Sequence, residues 1–396
     1  MYKTLDEIEC RGRCVLVRGD LNVPMQNGVV TDSTRLDRFA PTVRELSDKG
    51  ARVAVISHLG RPKGEAKPEL SLRQIVDALS TALGGRAVVF ADDCIGDAAK
   101  NAIDNLPEGG IVLLENLRFH AGEEPNDPTF VAALAENADL FVNNGFSVSH
   151  RAHASTAGIA GALPAYAGRG MQAELEALAA ALEVPKKPVA ALVGGAKVST
   201  KLSVLGHLLD KVDSLIIGGG MANTFLFALG TDIGASLCEK DLADTAREIM
   251  ARADETGCQI VLPSDVVIAA GLEEGIATEV VPIAAVPPDR MILDIGPESS
   301  AALNQHLANC GTLLWNGPLG AFEVTPFDAG TNAVARRAAE LTAAGSLVSV
   351  AGGGDTVAAL RRADANDGFS FVSTAGGAFL EWLEGRELPG VAALNN

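Results

Sequence analysis

The chain has 396 residues, more than one ordinary hydrophobic core takes and a fit for two domains of nearly 200 residues. Hydrophobic residues make up 47% and charged residues 21%, the balance of a globular rather than a disordered chain. A formal charge of −18 argues against nucleic acid or an anionic membrane as a partner, so any anionic ligand must be met by cations gathered locally.

The opening MYKTLDEIECRGR lacks the apolar core of a signal peptide, and no apolar run reaches the roughly 20 residues of a membrane span, so a cytoplasmic protein is expected. Of six scattered cysteines only Cys10 and Cys14 lie close together. No second Cys or His pair completes a zinc site with them, and reduced thiols are expected.

In chain order, apolar runs at Cys14–Arg18, Val53–Ser57, Ala87–Phe90, Ile111–Glu115 and Leu140–Asn143 predict the strands of the first half. Val189–Gly194, Ser214–Ile217, Ile260–Leu262, Thr312–Trp315 and Leu347–Val350 predict those of the second. The runs do not alternate with polar residues, the mark of strands buried on both faces. Helical stretches such as Leu70–Leu83, Asp241–Thr256 and Gly330–Ala344 lie between them, and Asn27-Gly28 predicts a tight hairpin turn. Repeated strand–helix units imply two Rossmann-like three-layer α/β/α domains with mainly parallel sheets, separated by a cleft and joined by a hinge helix.

Met171–Leu182 is nearly all strong helix formers and ends at Pro185 and Pro188, which suits a connector. The expected division is an N-terminal domain 1–170, a hinge helix 171–184 and a C-terminal domain 185–386.

Ligands of open α/β sheets bind beyond the carboxyl ends of the strands, so the residues just after each run carry the function. In the first half these are Asp20, Leu21 and Asn22; His58, Leu59, Gly60 and Arg61; Arg118; and Arg151 with His153. Arg35 opens the next helical stretch. A lone Arg reads as a surface charge, but Arg61, Arg118 and Arg151 all at strand ends in so acidic a chain form a basket. Such forks grip phosphate or carboxylate, with Asp20 and Asn22 to orient hydroxyls, which suits a small phosphorylated acid. His58 and His153 read about equally well as structural histidines.

In the second half Gly194-Gly195-Ala196-Lys197 precedes Lys201 at a strand–helix turn, without a Walker A pattern. If that stretch is helical, the two lysines share a face, where an anion would relieve their repulsion. Further glycine turns hold Gly219, Asn316 with Pro318, and Gly353 with Gly354, where backbone can approach a large flat ligand. Asp355 reads as a helix cap or a Mg²⁺ ligand, and Glu323 as a surface carboxylate or a ribose partner.

Together, GDLNVP, SHLGRP, LRFH, HRAH, GGAKVSTK, GGGMA, WNGPLGAFE, GGGDT, STAGGA and LEGRELPGVAAL resemble the phosphoglycerate kinase family in its bacterial form, in order from near residue 3 to near 394. The resemblance implies reversible transfer of the acyl phosphate of 1,3-bisphosphoglycerate to ADP, giving 3-phosphoglycerate and ATP with Mg²⁺. It places Asp20, Asn22, Arg35, His58, Arg61, Arg118 and Arg151, with Leu21, Leu59 and Gly60 in the same motifs, on the phosphoglycerate site. Lys201 falls on a nucleotide-phosphate contact and Lys197 on the lysine that stabilises the transferring group. Glu323 falls on the ribose contact and Asp355 on the metal ligand. Gly353, Gly354 and Thr356 fall on phosphate-proximal turns, and Gly195, Gly219, Asn316 and Pro318 belong to the nucleotide motifs. The family also implies a monomer whose tail, 387–396, returns to the N-terminal domain. Leu21, Leu319, Ala321, Ala375 and Phe379 depart from the family's usual residues, and Ala375 is expected to touch the turn nearest the phosphate.

A carboxylate nucleophile is ionised at neutral pH and requires no general base, so catalysis is expected to rest on Arg35, Lys197 and Mg²⁺ at Asp355, with closure about 171–188. A Rossmann dehydrogenase would need an early G-x-G-x-x-G unit, which this chain does not have. An inactive α/β binding or scaffold protein would be expected to lose Lys197, Lys201 and Asp355, all of which stand.

Overall fold

The computed structural model describes residues 2–395. The chain forms two compact units, Met1–Leu175 with Glu387–Asn396, and Glu176–Arg386. The division falls inside the helix Arg169–Leu182, which carries the chain from the first unit to the second. Arg169 ties its first turn to the first unit: Nε donates to Glu45 (2.7 Å) and Nη2 to Asp6 (2.6 Å) and Glu45 (2.8 Å).

The first unit is built on a six-stranded parallel sheet in the order Val88–Ala91, Ile111–Leu114, Arg52–Ile56, Cys14–Arg18, Leu140–Asn143, Ala165–Ala167. Both faces are buried. Val15 and Val17 enter one core with Val53, Val55 and the helix Thr34–Asp48, whereas Leu16 enters the other with Ala54, Ile56 and Phe141. That explains the unbroken apolar runs, since neither set of alternate side chains faces water. Leu16→Ala would open a central cavity at a cost of about 2–5 kcal/mol.

The second unit repeats the plan in the order Gln259–Val261, Ser214–Gly218, Val189–Gly194, Thr312–Asn316, Val348–Gly352, Phe371–Ser373, again all parallel. It adds a feature the pattern did not predict, an antiparallel sheet of Asp265–Ala269, Glu279–Pro282 and Met291–Ile295. The two parallel sheets bear out the expected fold class. Among the described residues no helix is long and apolar enough to cross a membrane.

Asn27 and Gly28 do make the hairpin turn, at φ 51° and 75°, between Met25–Gln26 and Val29–Val30. The expected helix Leu70–Leu83 is instead two 3₁₀ turns and a short α-helix, Val76–Ala82. It breaks because Ser71 is extended there, with Glu115 accepting from Ser71 Oγ (2.5 Å) and Leu72 N (2.8 Å). Ala375 sits at φ −93°, where a side chain costs nothing, so the turn does not require glycine.

Each sheet reverses its winding once. In the first unit this happens between Cys14–Arg18 and Leu140–Asn143, and in the second between Val189–Gly194 and Thr312–Asn316. Those carboxyl ends are where a doubly wound sheet opens to a ligand.

Candidate active site

At the first reversal the strand Cys14–Arg18 ends in a charge. Arg18 is 1% exposed, with Nε donating to Ser155 Oγ (2.9 Å) and Nη2 3.1 Å from His58 Nδ1. Its counter-charge is Glu123, also fully buried, which accepts from Ser155 N (3.1 Å) and Oγ (2.6 Å). Burial pulls Arg18 below its usual range while Glu123 pulls it back, and burial pushes Glu123 up while Arg18 lowers it. Each charge therefore offsets part of what burial costs the other. Sequence reasoning missed both; a charge ending the run CVLVR was the only signal, and nothing nearby marks Glu123.

Around this pair the expected side chains converge. Arg35 Nη1 donates to Asn22 O (2.8 Å) and sits 3.0 Å from Asp20 Oδ2, while Ser147 Oγ donates to that same oxygen (2.5 Å). Asn22 Oδ1 accepts from Gly60 N (2.9 Å), and Arg118 Nη1 donates to Gly60 O (2.9 Å). Gly60 itself is at φ +62°, a left-handed turn that brings its amide and carbonyl to these two side chains. Arg118 Nε lies 3.4 Å from Glu124 without hydrogen-bond geometry. Burial first, then Arg151 and Arg61, lower Arg118 against Glu124 and Glu123. Arg61 and Arg151 are exposed.

His58 is held well below the ordinary histidine range by burial, then by Arg18, Arg118 and Arg35. His153 falls to about 4, through burial and then Arg118, Arg18 and Arg151. Both are neutral at pH 7. Leu21 and Leu59 are buried, so only their backbone could meet a ligand; Leu21 N already donates to Ser57 Oγ (2.9 Å) and Leu59 O accepts from Asn116 (2.8 Å). The tail reaches this unit as well: Gly390 N donates to Ser149 O (2.8 Å), and a Cβ there would lie 2.9 Å from Ser149.

The second unit builds its reversal from backbone. Gly194 faces Pro318 so closely that a Cβ would lie 1.9 Å from its carbonyl oxygen. Thr356 Oγ1 accepts from Gly317 N (2.7 Å), and Asn316 Nδ2 donates to Gly352 O (2.7 Å). Lys201 Nζ donates to Asn316 Oδ1. Burial lowers that ammonium to about 8, with Asp355 raising it in part. A cavity of about 290 Å³ lies beside these turns, bordered by Gly195, Gly219, Pro318, Glu323 and Asp355 and walled by Leu237, Met291, Leu293 and Phe322. Lys197, Lys201, Asn316, Gly353, Gly354 and Thr356 are not among its walls.

The shared helical face of the two lysines does not form. Lys197 is extended (φ −136°, ψ 131°) and exposed ahead of the 3₁₀ turn Val198–Thr200, while Lys201 begins the helix Leu202–Leu208 and is mostly buried. The turn is pinned by a residue sequence reasoning missed, Glu239, which accepts from Ser199 N (2.9 Å) and Oγ (2.5 Å). Asp355 is not the helix cap either. Gly353 is, at φ +101°, leaving the Asp355 carboxylate in the first turn of Gly354–Arg362 with no cap bond. One free carboxylate beside a cavity fits Mg²⁺ only with a ligand's phosphates completing its oxygen shell.

The family model described as phosphoglycerate kinase matches residues 5–386. The phosphoglycerate kinase of Sinorhizobium medicae is 60% identical over 394 residues, 99% of this chain and 98% of the relative. That of Cereibacter sphaeroides is 58% identical over 394 residues, 100% of this chain and 99% of the relative. The solved phosphoglycerate kinase of Coxiella burnetii aligns with a TM-score of 0.92 at 42% identity, over 100% of this chain and 99% of that one. That of Pyrococcus horikoshii aligns at 0.81 and 29% identity, over 100% and 98%.

Proposed function

The chain belongs to the phosphoglycerate kinase family, and we propose that it carries a phosphoryl group reversibly from 1,3-bisphosphoglycerate to ADP, giving 3-phosphoglycerate and ATP. The observation that carries the reading is the convergence of Arg35, Arg118 and His58 with Asp20, Asn22 and the Gly60 turn, in a protein of net charge −18. Such a cluster matches a small acid bearing several negative charges.

In this reading Arg35, His58, Arg61, Arg118 and Arg151 hold the phosphoglycerate, with Asp20 and Asn22 on its hydroxyl and Leu21, Leu59 and Gly60 contributing backbone. The nucleotide takes the cavity lined by Gly195, Gly219, Pro318 and Glu323, its phosphates reaching Lys201, Asn316 and the Gly353–Gly354–Thr356 turn. Asp355 holds Mg²⁺, which when bound neutralises phosphate charge. In the direction that consumes ATP the nucleophile is a carboxylate with a pKa near 3.5, so no side chain must take its proton. Arg35 and Lys197 stabilise charge on the transferring group.

If each substrate is held by one unit, transfer requires the two to meet. The helix Arg169–Leu182, anchored by Arg169, is the proposed place where that rotation is absorbed. The protein is further proposed to act as a cytoplasmic monomer.

A coupled assay tests the activity: ATP should form only when 1,3-bisphosphoglycerate and ADP are both supplied. No ATP from the folded protein would overturn the reading. Scattering with both ligands tests the rotation, and an unchanged radius of gyration counts against it.

A further inference from the structure

On the first unit, beside the basket, three residues of different ligand type face one another. Asp93 and Cys94 follow the strand Val88–Ala91, and His120 closes the 3₁₀ turn Leu117–Phe119. One ligand atom from each, a carboxylate oxygen, the thiol sulfur and a ring nitrogen, lies within 4.8 Å of the other two. This is the one such group of three among the described residues.

The surroundings favour a cation. Cys94 is 2% exposed, and its own backbone N donates to Asp93 Oδ1 (2.6 Å), which sets the carboxylate beside the thiol. Asp93, Glu123 and Glu115 all add negative field at that sulfur. The two other side chains keep an edge in water, His120 at 29% and Asp93 at 41% exposure, so an ion has a way in. Each is also held. His120 stacks on Phe130 with ring centres 5.1 Å apart, and Asp93 Oδ1 accepts from Ile95 N (3.3 Å).

We propose that Asp93, Cys94 and His120 form a Zn²⁺ site. Sulfur, imidazole and carboxylate are the donors zinc prefers, and three protein ligands leave its fourth tetrahedral position to water. Bonds of about 2.0–2.3 Å put tetrahedral donors about 3.3–3.8 Å apart, so the sulfur must approach while His120 Nε2 and Asp93 Oδ1 move apart from 2.7 Å, by rotations of the partly exposed Asp93 and His120 side chains. The hydrogen bond between them, 2.7 Å from His120 Nε2 to Asp93 Oδ1, is given up as both atoms turn to the ion. The thiol proton leaves to solvent as the sulfur–zinc bond forms, and the thiolate and carboxylate then balance the ion's two charges. Sequence spacing hid the site because its third ligand is 26 positions from Cys94 (120 minus 94).

The site also bears on the basket. His120 lies two residues beyond Arg118, and its carbonyl accepts from Glu123 N (3.3 Å). An ion there would brace the segment that carries both.

The test uses the full chain and Co²⁺ as a spectroscopic substitute, followed by Zn²⁺ competition. One Co²⁺ per chain should bind with a thiolate-to-metal charge-transfer band, and Zn²⁺ should displace it. Cys94→Ser should abolish the band, and His120→Gln and Asp93→Asn should each weaken binding by about tenfold or more. Circular dichroism separates loss of the site from loss of the fold, and Asp93→Asn, at the surface, keeps the test open if Cys94→Ser does not fold. No band in the wild type, or a band that survives Cys94→Ser, overturns the proposal.

Discussion

In the first unit, cationic side chains crowd the strand ends and restrain one another through shared acceptors: Arg35 through Asp20 and Asn22, Arg118 through Gly60, Arg18 through Ser155 and Glu123. In the second, the same position in a like sheet is made of glycine backbone and small side chains, with one buried ammonium, Lys201, bound to an amide. The first unit thus gathers cations, each partly balanced by a carboxylate or a carbonyl. The second gathers little charge and offers closely approaching backbone instead, so under the proposed function a lysine and a metal ion would have to meet the phosphates there. Substitutions should therefore separate the two units by the parameter they move.

The largest effect is expected at Lys197. It is exposed and extended, and the one hydrogen bond given for it, from Thr200 Oγ1 to its carbonyl (2.8 Å), survives truncation of the side chain, so Lys197→Ala should change stability little and lower kcat by about 10²–10³. Were only KM to rise, the residue would be a binding group and its assigned part in transfer would fail. Next comes Glu123→Gln, which removes the larger of the two negative charges that support the buried Arg18, Asp20 being the other. It should destabilise by about 3 kcal/mol in urea titrations. An unchanged midpoint would mean that the hydrogen bonds of Ser155, not the charge, hold the basket. A smaller effect is expected at Arg118→Lys, where losing the fork that spans Gly60 O and a ligand should raise KM for 3-phosphoglycerate about tenfold with kcat little changed. The same change made on the nucleotide side, Lys201→Arg, has no fork to lose and should alter KM for ADP less.

The sequence made the sheets legible because both faces of each are buried: Val15 and Leu16 point into different cores, so the run stays apolar throughout. It also made the strand ends legible, since a doubly wound sheet puts function there. What escaped depended on contacts between distant positions. Glu123 meets Ser155 across 32 residues, and Glu115 breaks the expected helix at Ser71 from 44 residues away. The antiparallel sheet escaped for another reason. Glu279–Pro282 is a four-residue strand with mostly exposed side chains and no pattern to betray it. The lysine spacing misled because four positions imply a shared face only if the backbone between them is helical, and Val198–Thr200 is a 3₁₀ turn held by Glu239.

The smallest effect is the most discriminating, because the buried histidines of the first unit and the buried Asp294 of the second should answer acid with opposite signs. In the first, His153 is lowered to about 4 and His58 is well below its ordinary value, both chiefly by burial and then by arginines. Their unfolded value is near 6.5. Below that value the unfolded chain binds protons the folded unit refuses, so stability falls as pH drops from about 6.5 toward about 4. In the second unit Asp294 is raised to about 7 by burial, with Asp328 adding to the rise against amide bonds from Gly330 (2.7 Å) and Ile295 (2.9 Å). Here the folded unit binds a proton the unfolded chain has lost, so stability falls as pH rises from about 4 to about 7 and returns on acidification. Hydrogen exchange from about pH 7.5 to about pH 5, corrected for intrinsic rates, should show protection falling in Cys14–Arg18 and Leu140–Asn143 and rising in Met291–Ile295. Trp315 and Trp382, the chain's two tryptophans, both lie in the second unit, so their fluorescence follows that unit alone. Asp294→Asn should flatten the second unit's response and leave the first unchanged. A common direction in both units would show that net charge, not these buried groups, governs the response to acid.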